Sequence, residues 1–289
     1  MSDYLVKATA FDGQVRAFAI DSTQFVNEAC RRHDTWATTS AALGRTMTIT
    51  AMMGSMLKGD DKLTVKVEGD GPIGAIVADG NAKGEIRGYV QNPHVDFDSN
   101  EQGKLDVRRA VGTDGTISVA KDIGLKNNFT GQVPIVSGEI SEDFTYYFVT
   151  SEQVPSAVGA GVLVDTDYSI LASGGFIVQM MPGATEETIS TVEDRVNQMT
   201  AISTQIQDGK TPEDILKGFF EGEEWHVIDR QDVVFSCTCS KERTENAIAS
   251  LGNEEIDAMI EEDGGAEATC HFCNEVYHLS VEDLRELKS

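Results

Sequence analysis

Four of the chain's five cysteines form two close pairs in its last fifth, Cys237-Thr238-Cys239 and, after thirty intervening residues, Cys270-His271-Phe272-Cys273. Each pair can offer two sulfurs to a small cation from one short turn. Two such pairs, with enough chain between them to fold back, supply the tetrahedral four-sulfur set that a structural Zn²⁺ takes. A site closed by four thiolates keeps no open position for water, which argues against zinc-activated hydrolysis and leaves structure, recognition or redox chemistry. The redox option has a physical basis: zinc holds sulfurs close together as thiolates, the form that oxidants attack, and disulfide formation would eject the metal. His271 and His278 are the other candidate ligands, but the four cysteines already complete the tetrahedron, so both are read as ordinary residues of the module. Cys30 is alone in the N-terminal region and is read as a small core or surface residue with no role in the site.

Composition narrows the partners. Forty-eight acids against 23 bases give a net charge of -25, which repels nucleic acid and anionic lipid. The cysteine-rich end has the same sign: residues 236–289 hold 13 acids and 4 Lys/Arg, where a zinc ribbon that binds nucleic acid would carry bases. A thioredoxin-type oxidoreductase would open a helix on its Cys-x-x-Cys after a βαβ unit, whereas here a turn and a strand are expected. No secretory h-region and no apolar run long enough to span a bilayer are present, so a cytosolic protein without nucleic-acid or membrane partners is expected. In that compartment clustered cysteines mean metal or redox chemistry rather than a disulfide framework.

The elements that must position these cysteines point to an α+β chain. Tyr4 to Ile20 reads as two strands around Asp12-Gly13, and the region through Lys58 reads as helical, with a Met- and small-residue-rich stretch from Leu43 to Leu57 expected as a buried core helix. From Leu63 to about Phe148 the period is two, with strands expected at Leu63–Val67, Ile86–Val90 and Phe144–Val149. Within it Gly69-Asp70-Gly71-Pro72-Ile73-Gly74 matches the dinucleotide-binding glycine pattern by letter. No helix opens on those glycines, and Glu68 and Asp70 stand where a pyrophosphate would go, so the stretch is read as a hairpin turn. After strands around 159–164 and 173–181, Pro182-Gly183 punctuates the chain. A helix capped by Thr185 is expected to run to about Gln207, and a second to open at Thr211-Pro212. Their β-branched stripes and many charges give modest intrinsic helicity, so this segment depends on packing against something else. The terminal module is expected to contain two helices, the second capped by Asn253, then the Cys270–Cys273 knuckle, a strand at Val276–Leu279 and a last helix boxed by Ser280 and Asp283. With so few large apolar side chains, its folding would rest on the metal, worth ~10–16 kcal/mol in zinc-finger peptides.

Beyond the cysteines, Ala42-Leu43-Gly44-Arg45-Thr46, Lys66 to Gly74, Ser151-Glu152-Gln153-Val154-Pro155-Ser156 and Gly174-Gly175-Phe176 through Gln179-Met180-Met181-Pro182-Gly183 resemble the heat-shock protein 33 family, the redox-regulated chaperones of the bacterial cytosol. The resemblance covers essentially the whole chain. It implies a sheet-rich N-terminal domain at 1–183, a helical and conditionally stable linker at 184–236, and a redox-switch zinc module at 237–289. It further implies one Zn²⁺ per chain on Cys237, Cys239, Cys270 and Cys273 in an inactive reduced monomer. On oxidation it implies disulfides Cys237–Cys239 and Cys270–Cys273, zinc release, linker unfolding, a homodimer, and ATP-independent binding of unfolding client proteins. No enzymatic activity is expected. The alternative is a constitutive zinc-stabilised protein-binding module without a redox switch.

Overall fold

A computed structural model describes residues 2–125 and 128–288. The chain divides into two units, Met1–Ser236 and Cys237–Ser289.

The first unit opens with β1 (Tyr4–Ala10) and β2 (Val15–Asp21), joined at Phe11–Gln14, followed by α1 (Thr23–His33) and α2 (Ala37–Gly54). Every residue of α2 from Thr38 to Gly54 is buried except Arg45. A helix apolar all round must lie inside, and its core threonines stay satisfied by bonding back along the helix: Thr46, Thr48 and Thr50 donate to the carbonyls of Ala42, Gly44 and Thr46. The antiparallel run β3 (Lys62–Gly69), β4 (Ala75–Asn81) and β5 (Glu85–Val90) follows, then α3 (Val107–Val111), β6 (Gly115–Asp122), β7 (Phe129–Pro134) and α4 (Ile140–Tyr147). The long strands β8 (Ser156–Val164) and β9 (Ile170–Met180) lead to helices α5 (Glu186–Gln198), α6 (Ile202–Gln207) and α7 (Pro212–Phe219), then β10 (Trp225–Asp232) and β11 (Val234–Phe235).

Two sheets result, one in the order β10-β1-β2-β9-β8 and the other β11-β5-β4-β3-β6-β7, with β11 parallel to β5 and the rest antiparallel. Helix α2 packs against strands of both. Alternation along β1 and β2 divides the first sheet's side chains between two cores. Leu5, Phe18 and Ile20 join the cluster around α2, while Val6, Ala8, Ala10, Val15, Ala17 and Ala19 join Val192, Ile202, Ile215, Leu216, Phe219 and Phe220. The first sheet is therefore covered on its second face by α5–α7, and these helices are the support that their modest helicity requires. Small side chains let them sit close: a Cβ at Gly174 of β9 would lie 2.1 Å from Ile206 Cδ1 of α6.

Capping at Thr185 and Thr211 is as expected, the latter as a capping box with Asp214 and with proline at the first turn. The helix expected to run on to Gln207 is interrupted at Met199–Ala201, where Met199 (ψ 130°) and Ala201 (ψ 129°) are extended. The stretch Phe144–Val149 is not a strand: Phe144 and Tyr147 are buried in α4, which continues into a wider π-type turn at Phe148–Glu152. Spacings of three and four residues among Phe144, Tyr147 and Phe148 put their rings on one helical face. The glycine pattern at 69–74 is a turn between β3 and β4, as expected. A Cβ at Gly71 would meet the Ala110 carbonyl at 2.2 Å, and Asp70 accepts from the Thr113 and Asp114 amides, so this turn is built to receive the end of α3.

The second unit contains α8 (Lys241–Ala249), α9 (Asn253–Ala258) with a π-type turn at Met259–Asp263, the hairpin β12 (Ala266–Thr269) and β13 (Val276–Leu279), and α10 (Val281–Glu286). Gly252, not Asn253, occupies the cap position of α9, while Ser280 and Asp283 form the expected capping box. Its core is four buried aliphatic residues, Ile248, Ile256, Leu279 and Leu284. No described helix is long and apolar enough to cross a membrane.

Candidate metal centre

The β12–β13 hairpin brings the second cysteine pair to the end of two paired strands. Cys270 follows Thr269 directly, its amide donates to the Glu275 carbonyl, and the Asn274 amide donates back to the Cys270 carbonyl. Asn274 takes a left-handed conformation (φ 56°), which asparagine tolerates better than most residues, and this closes the knuckle. The first pair precedes α8, whose Ser240 cap accepts from the Arg243 amide. Arg243 Nη1 also donates to both the carbonyl and Oγ1 of Thr238, each at 2.9 Å, tying the Cys-Thr-Cys turn to the helix that follows. Lys241 pairs with Asp283 at 2.9 Å, joining α8 to α10.

These constraints bring all four sulfurs within 4.8 Å of one another. Cys237 and Cys270 are 3.7 Å apart and Cys239 and Cys273 3.3 Å. Four sulfurs at the zinc–thiolate distance of ~2.3 Å stand about 3.8 Å apart at the corners of a tetrahedron, so the donor set fits Zn²⁺ in number, type and spacing. No disulfide joins any two of them. Burial pushes the Cys239 and Cys273 thiols up, so as thiols they keep their protons at neutral pH, and a divalent cation held there would displace them.

The group contains neither histidine. His278 lies across the hairpin from Glu267, with Nδ1 3.3 Å from its carboxylate. Cys30 belongs to the other unit, where it is 4 % exposed in the core of α1 and α2, and burial holds its thiol well above the ordinary value. Two residues at the site were missed in the sequence. Arg243, four positions after Cys239, anchors the first turn, and Tyr277, four positions after Cys273, directs its hydroxyl onto Cys239 Sγ at 3.1 Å. Alternation on β13 was the available sign for Tyr277, since it places Tyr277 and Leu279 on one side of the strand.

The family model described as Hsp33 protein matches residues 3–280. Among curated relatives, the 33 kDa chaperonin of Oceanobacillus iheyensis is 64% identical over 288 residues, covering 100% of both chains. The 33 kDa chaperonin of Bacillus subtilis is 64% identical over 286 residues, covering 99% of this chain and 98% of its own. Among solved structures, the 33 kDa chaperonin (heat shock protein 33 homolog) of Thermotoga maritima superposes with a TM-score of 0.93 at 36% identity, over 99% of this chain and 98% of that one. A four-sulfur cluster in a small C-terminal unit, a two-sheet unit before it, and similarity over the whole length together place the chain in the Hsp33 family.

Proposed function

We propose that this chain is a redox-regulated, ATP-independent holdase chaperone of the cytoplasm, built from a chaperone domain at 1–183, a conditionally stable linker at 184–236 and a switch module at 237–289. In the reduced monomer Cys237, Cys239, Cys270 and Cys273 hold one Zn²⁺. Held by these four sulfurs, the ion would let them stand together as thiolates. The observation that carries this reading is the group of four sulfurs within 4.8 Å in a unit whose own core is only four buried residues. A core of that size leaves the folding of the unit dependent on its cross-link.

Oxidation by a peroxide joins Cys237 to Cys239 and Cys270 to Cys273. In each step two thiolates give up two electrons to form one S–S bond, and H₂O₂ takes those electrons with two protons to become two waters. This pairing rests on the family resemblance, because four sulfurs around one point are all neighbours and their distances select no partner. Once both bonds have formed, no thiolate remains to hold the ion, and the module loses its support. Release of α5–α7 then uncovers the sheet face formed by Val6, Ala8, Ala10, Val15, Ala17 and Ala19. Unfolding client proteins bind apolar surface of this kind, and the active form is a homodimer. The surplus of acids, 48 against 23 bases, disfavours nucleic acid and anionic membranes as competing partners. Light scattering from a heat-unfolding client tests the proposal: the reduced protein should leave aggregation unchanged and the peroxide-treated protein should suppress it. Equal failure before and after peroxide would sink it.

A further inference from the structure

The Tyr277 hydroxyl lies 3.1 Å from Cys239 Sγ, and its ring packs against the small core of Ile248, Ile256, Leu279 and Leu284. Strand β13 fixes where the ring stands, since Tyr277 pairs with Ala268 across the hairpin that also carries Cys270 and Cys273. The phenol O–H is the donor, and a thiolate sulfur retains lone pairs to accept it while ligating a metal. A four-thiolate zinc site carries a net charge of about -2 from its formal charges. Here it sits in a unit with 13 acids against 4 Lys/Arg, so the surroundings oppose that charge and a donor aimed at one sulfur offsets part of it.

We infer that Tyr277 is a positioning residue of the switch, whose hydrogen bond stabilises the Cys239 thiolate on the metal and restrains its attack on oxidants. This rests on the proposal that the four cysteines hold zinc and are oxidised, and it adds what sets the ease of that oxidation. Thiolate electron density withdrawn into a hydrogen bond is less available to a peroxide oxygen. As the S–O bond forms, the peroxide O–O bond breaks and hydroxide leaves, giving a sulfenic acid that the Cys237 thiolate then displaces to form the S–S bond. Charge leaves the sulfur in the first step and the hydrogen bond weakens, so it stabilises the resting state more than the transition state. Removing the hydroxyl should therefore raise the reaction rate of Cys239 and loosen the metal.

Tyr277→Phe in the full chain keeps the ring and deletes only the donor. Loss of one ordinary hydrogen bond predicts zinc release under peroxide roughly fivefold faster than in the unsubstituted protein. Chelator competition should show metal affinity lower by about tenfold, the smaller end of what outer-shell partners contribute. A readout that mere loosening of the strand would not move is the thiolate-to-metal charge-transfer band with Co²⁺ in place of zinc, which should shift to longer wavelength in Tyr277→Phe. It should stay in place in Val276→Ala, whose side chain is 40% exposed on the same strand. If the band, the affinity and the release rate of Tyr277→Phe all match the unsubstituted protein, while that protein does release zinc on oxidation, the inference is overturned and the switch stands. If the unsubstituted protein binds no zinc, or keeps it under peroxide, the switch itself fails and the inference falls with it.

Discussion

Phe219→Ala separates the cover over the sheet from the cysteine cluster, because it acts on the linker's packing alone. Phe219 is 1% exposed at the end of α7, and its ring meets Phe176 of β9 edge-on, with centroids 4.7 Å apart at 64°. Truncating a buried phenylalanine costs about 3–5 kcal/mol in lost transfer energy and residual cavity, including the edge-to-face term. The eight residues of α7 cannot hold a helix alone. What remains is Ile215 and Leu216 beneath it, Glu213 held by Tyr4 at 2.7 Å and by Arg230 at 2.6 Å, and the Phe219 carbonyl held by Arg195 at 2.7 Å. Losing about 4 kcal/mol at ~1.4 kcal/mol per decade raises the population with α7 detached by roughly a thousandfold. Hydrogen exchange should then accelerate through α5–α7 and leave the β3–β4–β6 amides unchanged. Zinc should stay at one per chain, and client aggregation should be suppressed without any oxidant. Fast exchange in the linker with no gain in holdase activity would refute the idea that uncovering this face activates the protein. Unchanged exchange would refute the packing argument.

Three further outcomes follow from the same structure. Cys273→Ser replaces the most buried of the four sulfurs, 3% exposed, with a poor zinc ligand; zinc analysis should find substoichiometric metal, and full retention would count against the ligand set. A strong chelator in the presence of reductant should unfold the second unit, freeing the helical backbone at the exposed Lys241, Arg243 and Arg285 for trypsin before the sheets of the first unit are cut, and equal protection with and without metal would show that the four-residue core suffices. Asp3, which accepts from the Gln24 and Phe25 amides, is pushed up to about 6 by burial, so the stability it contributes is complete below its ordinary 3.8 and lost as pH rises through about 6. Unfolding free energies from urea titrations should therefore fall more between pH 4 and 7 in the unsubstituted protein than in Asp3→Asn, by about 2 kcal/mol at ~1.36 kcal/mol per unit, and parallel curves would refute the assignment.

Much of the site was legible because its chemistry is written in short spacings. Two cysteine pairs and the Ser280–Asp283 box need only local sequence, and the structure carries the cluster and the box as expected. The strands expected at β1, β2, β8 and β9 are also present, and β1 and β2 meet a core on each face. Alternation failed at residues 144–149, since Phe144, Tyr146 and Phe148 alternate as a strand would while Phe144, Tyr147 and Phe148 also fit a helix. Packing of α4 against β8 and the bond from Thr145 Oγ1 to the Ser141 carbonyl favour the helix. The break at Met199–Ala201 has no glycine or proline to mark it; Met199, Ile202 and Ile206 preserve the apolar stripe across an extended segment because all three pack against the same sheet face. The bond from Tyr277 to Cys239 could not be read at all, since it joins residues 38 positions apart and depends on the hairpin register.

In the proposed switch, loss of the metal cross-link and gain of holdase activity are one event. Zinc release, followed with a colorimetric chelator, and suppression of client aggregation should be recorded in the same peroxide time course. Activity should rise as zinc leaves and the Cys237, Cys239, Cys270 and Cys273 thiols disappear. A rise in activity while all the zinc stays bound would contradict the proposed switch.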